Sequence, residues 1–372
     1  MNNKSPNIKI GLFIDSLGTG GAQRQTVNLA IGLKSKGLIP IIIIYSDTNY
    51  FQEVLDKESI PVYYVKRRNI ADPFFFFQFL RILKNEKIDL LIAMLFIPSG
   101  YALVAKVLLP SLHLIISERS FEAKTRNKEK IFPRKLYRWA NYITANSKSQ
   151  TLQLEQLFPN LREKIKYIPN GVHDQEYLYQ PKENELTVVS IGRVSFLKDT
   201  KVLIKAIYRL KVLIPNMKLK VFWVGAKFDS NSEDCSYYTS CCEMLKELGM
   251  DNYWEWIGQI SDVKTVLAKS DLLVHMSHGE GFPNAICEAL SFGIPVIASA
   301  VMDHPFIINH KKNGYLVESG NLEGLVGALH HFALKSIEQR SQMSKNAFQT
   351  AQVSFSLEKM TSRYYQLIMN RN

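Results

Sequence analysis

Residues 277–299 read Ser-His-Gly-Glu-Gly-Phe-Pro-Asn-Ala-Ile-Cys-Glu-Ala-Leu-Ser-Phe-Gly-Ile-Pro-Val-Ile-Ala-Ser. Gly279 and Gly281 allow the backbone positive φ, Pro283 suits the first turn of a helix, and Gly293 marks where that helix stops. The stretch is therefore a loop, a short helix and a strand, with Glu280 just outside the helix N-terminus. The amides of Phe282, Asn284 and Ala285 point into that mouth, where the positive end of the helix dipole favours an anionic or hydroxyl-rich ligand. Glu288 follows inside the helix, flanked by Ile286, Cys287, Ala289 and Leu290. A carboxylate among apolar neighbours needs a partner, and the hydroxyls of a ligand would serve.

Around this stretch, 372 residues are enough for two α/β domains, and 46% hydrophobic with 22% charged residues is the balance of a globular protein. The best apolar run, Ile39 to Tyr45, contains Pro40 and reads as a buried strand, too short to span a bilayer. Ile10 to Ile14 is short and runs into Asp15, so no signal peptide is expected and the chain is placed in the cytoplasm. Cys235, Cys241, Cys242 and Cys287 lack metal-ligand spacing, which predicts reduced thiols and no metal. The net charge of +12 is lopsided: residues 1–180 hold 25 Lys and Arg against 15 Asp and Glu. A one-sided positive field suggests an anionic partner, either nucleic acid or a phospholipid surface.

Strands and helices alternate in both halves. Ile8 to Ile14 is a first strand, Gly18-Thr19-Gly20-Gly21 a glycine loop, and Ala22 to Lys36 a helix. A dinucleotide fingerprint would need glycine at position 23, which is Gln23, so an oxidoreductase reading is weak. Leu112 to Ser117 is a strand whose end, Glu118-Arg119, should face a ligand cleft, because open parallel sheets bind ligands beyond the carboxyl ends of their strands. Residues 173 to 185 have the polar composition of an interdomain linker. A new sheet starts with Leu186 to Ile191 and runs into Gly192-Arg193-Val194-Ser195-Phe196-Leu197-Lys198. Leu357, Met360, Tyr364 and Ile368 share one face of a last helix.

Glu280, seven intervening residues and Glu288, followed by Gly293-Ile294-Pro295-Val296-Ile297, resemble the signature of retaining GT-B glycosyltransferases of family 4. Gly20-Gly21-Ala22-Gln23-Arg24 resembles the glycine loop that faces the donor diphosphate in that family, with Gln23 where a Glu is usual. Gly192-Arg193 with Lys198 resembles its Gly-Arg...Lys element, with Asp199 in place of the usual Gly. The resemblance implies two Rossmann-like α/β domains facing across a cleft: 1–175 on the acceptor side, 186–352 for the nucleotide sugar, and 353–372 as a helix crossing back. It implies that Glu280 and the residues around it (Gly279, Gly281, Phe282, Pro283, Asn284, Ala285) hold the transferred sugar, and that Glu288 holds the ribose. Gly20, Gly21 and Gly192 would line the donor site. Arg193 and Lys198 would stabilise the departing diphosphate without a metal or other cofactor. Where many members carry a cleft His, this chain has Glu118 and Arg119, either of which could take that role or merely fix the loop. His304 reads as a loop or cap residue.

The resemblance thus implies transfer of a hexose or N-acetylhexosamine, from a UDP-sugar in first place, to a hydroxyl of a glycan acceptor in cell-surface polysaccharide synthesis. Family members commonly extend lipid-linked glycans, so the partners expected are a nucleotide sugar, a lipid-linked acceptor and an anionic membrane at whose inner face the protein would be peripheral, with no nucleic acid. Arg67 and Arg68, Phe75 of the Phe-rich helix that follows them, and Lys124, Arg126, Lys128, Arg134 and Lys135 of a basic run would form that membrane or acceptor surface. Burial of the Phe-rich helix against a sheet and a merely solvated basic face are the competing accounts. A nucleotide-sugar epimerase, a phosphorylase, or a nucleic-acid-binding protein with a degenerate site are the rival functions.

Overall fold

The computed structural model describes residues 8–119, 134–177, 179–227, 233–260 and 262–370. They divide into two compact units, residues 1–171 with 357–372, and residues 172–356. The first unit is built on β1 (Lys9–Phe13), β2 (Ile39–Ile44), β3 (Val62–Tyr64), β4 (Leu90–Met94), β5 (His113–Glu118), β6 (Tyr142–Ala145) and β7 (Ile165–Tyr167). They form a parallel sheet in the order β3-β2-β1-β4-β5-β6-β7. Helices α1 (Gly21–Ser35), α2 (Gln52–Lys57), α3 (Pro73–Asn85) and α4 (Phe96–Leu108) connect the early strands. The buried faces of β1 and β2 explain their near-continuous Ile and Leu, since helices cover both faces of a parallel sheet.

The second unit carries β8 (Glu185–Ile191), β9 (Lys218–Val224), β10 (Trp254–Gly258), β11 (Leu272–His275), β12 (Val296–Ser299) and β13 (Gly314–Val317), all parallel, in the order β10-β9-β8-β11-β12-β13. Two doubly wound parallel sheets are thus what the alternation of elements anticipated. The anticipated linker, however, is packed on the second unit. Within it the Tyr177 ring lies 5.5 Å from that of Phe348, and the Tyr179 hydroxyl donates to the Asp271 carbonyl at 3.2 Å; just ahead of it Val172 donates its amide to the Phe355 carbonyl at 2.7 Å. Its tyrosines outweigh its polar composition.

The chain returns to the first unit at Leu357. The C-terminal helix Leu357–Met369 puts Met360, Tyr364 and Ile368 into the same core cluster as Ile10, Leu12 and Leu33. The Tyr364 hydroxyl stands 3.1 Å from both Ser117 Oγ and Thr144 Oγ1, pinning the helix to β5 and β6.

Two expectations about surface residues fail here. Phe75 is wholly buried, its ring 4.9 Å from Tyr101, because α3 packs Phe75, Phe79 and Leu83 onto the sheet and leaves Phe74 and Phe77 outside. Arg134 is 3% exposed and ion-paired inside the unit. Arg67 is half-buried, Arg68 and Lys135 are exposed, and Lys124, Arg126 and Lys128 lie outside the described residues.

Gly32 marks where the C-terminal helix crosses α1: a Cβ built there would fall 2.2 Å from Thr361 Oγ1. At an open helical position, alanine in place of glycine stabilises by about 1 kcal/mol. Here Gly32→Ala should instead lower stability, and Gly32→Val should do so by about 1–3 kcal/mol, the usual cost of overpacking. Urea midpoints of the two variants against the parent check the sign.

Candidate functional site

β8 and β11 are neighbours in one parallel sheet, so the loops leaving their carboxyl ends emerge side by side. The first loop is residues 192–199. Its backbone is fixed by the Gly192 amide on the Val224 carbonyl (2.8 Å), the Val194 amide on the Ala226 carbonyl (3.0 Å) and Trp223 Nε1 donating to the Gly192 carbonyl at 2.8 Å. Gly225 permits this approach: it sits at φ +142, and a Cβ there would come within 2.2 Å of the Gly192 oxygen. Gly192 is itself at φ +150, and the Lys198 side chain lies close over it. Asp199 closes the loop in the left-handed region at φ 47, which explains why a glycine is the easier residue there.

The second loop is residues 276–283. Ser277 staples it to the end of β12, donating its amide to Ser299 Oγ (2.9 Å) and accepting the Ser299 hydroxyl on its carbonyl (2.7 Å). The two loops are tied together by the His278 amide on the Leu197 carbonyl at 3.0 Å and by the His278 ring stacked 4.9 Å from Phe196.

Between them stands Glu280, its side chain 12% exposed. One carboxylate oxygen accepts from Lys198 Nζ, and His275 Nε2 lies 2.9 and 3.1 Å from the two oxygens. Burial alone would raise the Glu280 pKa, but His275 and Lys198 outweigh it and hold the carboxyl well below the usual carboxylate range. Lys198 and Glu280, 82 positions apart, are therefore in direct contact, as one shared site requires.

Arg193 is exposed at the carboxyl end of β8, and Glu288 is half-buried in the helix Asn284–Ser291 that the second loop feeds. The helix starts one residue later than the sequence suggests: Pro283 is its N-cap, and the Asn284 amide turns back to the Phe282 carbonyl at 3.0 Å. The Asn284 amide is thus engaged within the chain. Phe282 and Pro283 are buried, whereas Gly279, Gly281 and Ala285 are partly accessible.

Two imidazoles complete the cluster. His275 is the last residue of β11, and the sequence gives only one hint of it, a polar ring ending an apolar strand, which demands a partner when buried. His304, expected in a loop or cap, is the first residue of the short helix His304–Ile307, whose N-cap is Asp303, and is fully buried, with its ring 5.6 Å from that of His275. A carbonyl cannot donate, so His304 Nδ1 carries the proton it gives to the Ser299 carbonyl at 2.6 Å. His275, Glu280 and His304 bring one ligand atom each within 4.8 Å of one another. That donor set would suit a divalent ion, but the ammonium of Lys198 already stands on Glu280 and balances its charge.

In the first unit, Gly20 and Gly21 are exposed at the start of α1, beyond the carboxyl end of β1. Glu118 and Arg119 do not face solvent as a substrate-touching pair. Glu118 is 1% exposed: its Oε1 accepts from Arg134 Nε at 2.8 Å and from the Tyr137 hydroxyl at 2.5 Å, and its Oε2 from Arg134 Nη2 at 3.3 Å. Arg119 donates to Asn170 Oδ1 (2.7 Å), Ser117 Oγ (3.1 Å) and the Tyr364 hydroxyl (3.2 Å). The physical reason is that a charge at the end of a buried strand is tolerated only when fully paired. They brace the loop and the C-terminal helix.

Burial, with His275 next, pushes the His304 pKa down to about 4. An unfolded His takes up its proton near pH 6.5, so between about pH 6.5 and 4 the unfolded chain binds a proton that the folded chain refuses, and stability falls with falling pH. His304→Asn, which keeps a donor for Ser299, should flatten this dependence by about 2–3 kcal/mol between pH 7 and 4.5. Urea titrations of both proteins at the two pH values read the difference directly.

Comparison with known proteins places the chain among sugar-transferring enzymes. Residues 178–350 match the family described as glycosyl transferases group 1, and residues 19–176 match glycosyltransferase family 4. Two Campylobacter jejuni proteins are similar over nearly the full length. One, an N-acetylgalactosamine-N,N'-diacetylbacillosaminyl-diphospho-undecaprenol 4-alpha-N-acetylgalactosaminyltransferase, is 24% identical over 93% of this chain and 97% of its own. The other, an alpha-1,4-N-acetyl-D-galactosaminyltransferase whose name gives a diNAcBac-PP-undecaprenol-linked acceptor, is 26% identical over 97% and 98%. Among solved structures, a Rickettsia africae glycosyltransferase superposes with a TM-score of 0.84 at 20% identity, covering 99% of this chain and 100% of its own. Anabaena HepE in complex with UDP superposes with a TM-score of 0.83 at 19% identity, covering 97% and 99%.

Proposed function

We propose, from the premise that this chain belongs to the family 4 glycosyltransferases and is an enzyme of the GT-B fold, that it moves a hexose or N-acetylhexosamine from a UDP-sugar to a hydroxyl of a lipid-linked glycan with retention at the anomeric carbon. The observation that carries this reading is the Lys198–Glu280–His275 cluster at the carboxyl edge of the second sheet. A UDP complex of a structural neighbour and the undecaprenol-linked acceptors in the names of two relatives support the choice of donor and acceptor class.

The chemistry divides between the two charges of the cluster. Lys198, with Arg193 beside it on the same loop, neutralises the diphosphate as the glycosidic bond to it lengthens. When Lys198 turns to the phosphate, Glu280 loses one partner and keeps His275, so an oxygen becomes available to accept from hydroxyls of the transferred sugar. Glu288 holds the ribose. The leaving phosphate, on the same face as the incoming hydroxyl, takes the acceptor proton, which delivers retention without a covalent intermediate. No metal or other cofactor is required by this route.

No helix among the described residues is long and apolar enough to cross a membrane. Arg68 and Lys135, both exposed on a unit with strongly positive composition, support contact with an anionic bilayer from the cytoplasmic side, at about 1 kcal/mol per cation near the surface. Cell-surface polysaccharide synthesis is the setting this combination fits.

A thermal-shift screen over UDP-, GDP- and ADP-sugars should give its largest rise in melting temperature with one UDP-sugar, since a ligand that binds only the folded form stabilises it. Glu288→Ala should erase that rise; a normal response in this variant removes the ribose role. Lys198→Ala should lower kcat about 10²–10³-fold, the usual loss of one transition-state charge partner. Sugar epimerised in the absence of an acceptor, or turnover that depends on inorganic phosphate, would transfer the assignment to an epimerase or a phosphorylase.

A further inference from the structure

The first unit contains an apolar cavity of about 320 Å³ between α4 and the 3₁₀ turn Lys135–Trp139. Ile70, Phe96, Tyr101, Val104 and Leu136 form its walls, around Gly100. Gly100 lies inside α4 and is exposed, a position where alanine is the better helix former. Packing does not require it: a Cβ built there meets nothing within 4 Å. What the missing side chain provides is an opening in the helix face.

Of the cavity walls, Ile70 is about two-thirds exposed, as are Phe74 and Phe77 on α3, and the Tyr101 hydroxyl donates to the Ile70 carbonyl at 2.6 Å, tying Ile70 to α4. Single exposed hydrophobic residues are ordinary on a globular protein, but Ile70 is exposed where it walls an apolar cavity, the form that a ligand site takes. Cations neighbour the wall residues in the chain: Arg67 and Arg68 precede Ile70, and Lys135 and Arg138 flank Leu136 and Tyr137. The Arg67 guanidinium lies 4.0 Å from the centre of the Tyr45 ring, which is 6.4 Å from that of Tyr101, and its buried Nη1 has no hydrogen-bond partner among the described residues. A half-buried cation with one unpaired nitrogen, two ring contacts away from an apolar hole, complements an amphiphile with a hydrocarbon chain and an anionic head.

We propose that this cavity receives the hydrocarbon chain of an isoprenoid phosphate, the lipid part of the acceptor, with the phosphate at Arg67. The inference rests on the reading of the acceptor as lipid-linked and deepens it to a site. Ile70 follows the carboxyl end of β3 and Phe96 that of β4, the edge at which a parallel sheet presents a bound substrate.

The test uses farnesyl phosphate, a soluble isoprenoid phosphate, titrated into the full chain by calorimetry with UDP present to occupy the second unit. The parent should bind it and inorganic phosphate should not compete. Gly100→Leu, which fills the opening where space is free and favours the helix, should bind about tenfold more weakly or worse, while Gly100→Ala retains binding. Arg67→Ala should weaken farnesyl phosphate but leave the UDP-sugar thermal shift intact. Equal affinity in parent and Gly100→Leu overturns the proposal, as does a parent that ignores farnesyl phosphate yet binds phosphatidylglycerol vesicles, which would make the face a bilayer-docking surface only. In either case an intact UDP-sugar response leaves the transferase reading standing; loss of that response in the parent is the separate failure of that reading.

Discussion

A carboxylate with 12% of its side chain exposed must be paired or must give up its charge, and Glu280 is paired twice, with Lys198 and with His275. Much of the second unit can be understood as the scaffolding of that triple contact. Lys198 reaches Glu280 because Gly192 has no side chain beneath it, and Gly192 can sit where it does because Gly225 has none either. His275 is delivered by a strand, and Glu280 by a loop stapled at Ser277 to the neighbouring strand. Backbone geometry over four separate segments thus converges on a few ångströms of charge.

The contact is also an argument about the empty and the loaded site. In the proposed reaction a sugar diphosphate would bring negative charge for Lys198 and hydroxyl donors for Glu280, so that its two ends would substitute for the internal ion pair that they separate. The pair keeps both groups desolvated and oriented before the substrate arrives, which is the preorganisation that electrostatic stabilisation needs. In that reaction His275, 2.9 and 3.1 Å from the two carboxylate oxygens, would be the partner that Glu280 keeps.

The second unit's half of this was readable in the sequence because its signals are local. Glycines on either side of Glu280, a proline before a helix and a Gly-Arg...Lys run each constrain the chain within a few residues. The alternation of apolar strands with helical spacing gave two parallel sheets for the same reason. What could not be read was which face of an element would be buried. Phe75 and Phe77 stand two positions apart in a run of four phenylalanines, and only the packing of α3 decides that the first is core and the second surface. Glu118 and Arg134 look like two of many charges, and only their 2.8 Å contact turns them into a buried brace. His275 was hidden because a histidine at a strand end resembles any other strand residue until its partner, five positions on, folds back over it. Residues 173–185 looked like a tether on composition, and their tyrosines made them part of a domain.

The route of the backbone has a further effect, on synthesis. The second unit, Val172 to Ser356, is one continuous stretch, whereas the first is interrupted and recovers its final core residues, Met360, Tyr364 and Ile368, only from the last helix. A ribosome emits the amino-terminal segment first, yet that segment lacks a wall of its interior until the helix Leu357–Met369 has been made. The later-made lobe is then the first able to reach its finished form, and the nascent half, with its apolar strands waiting for a lid, is the portion most in need of chaperone protection in the interval.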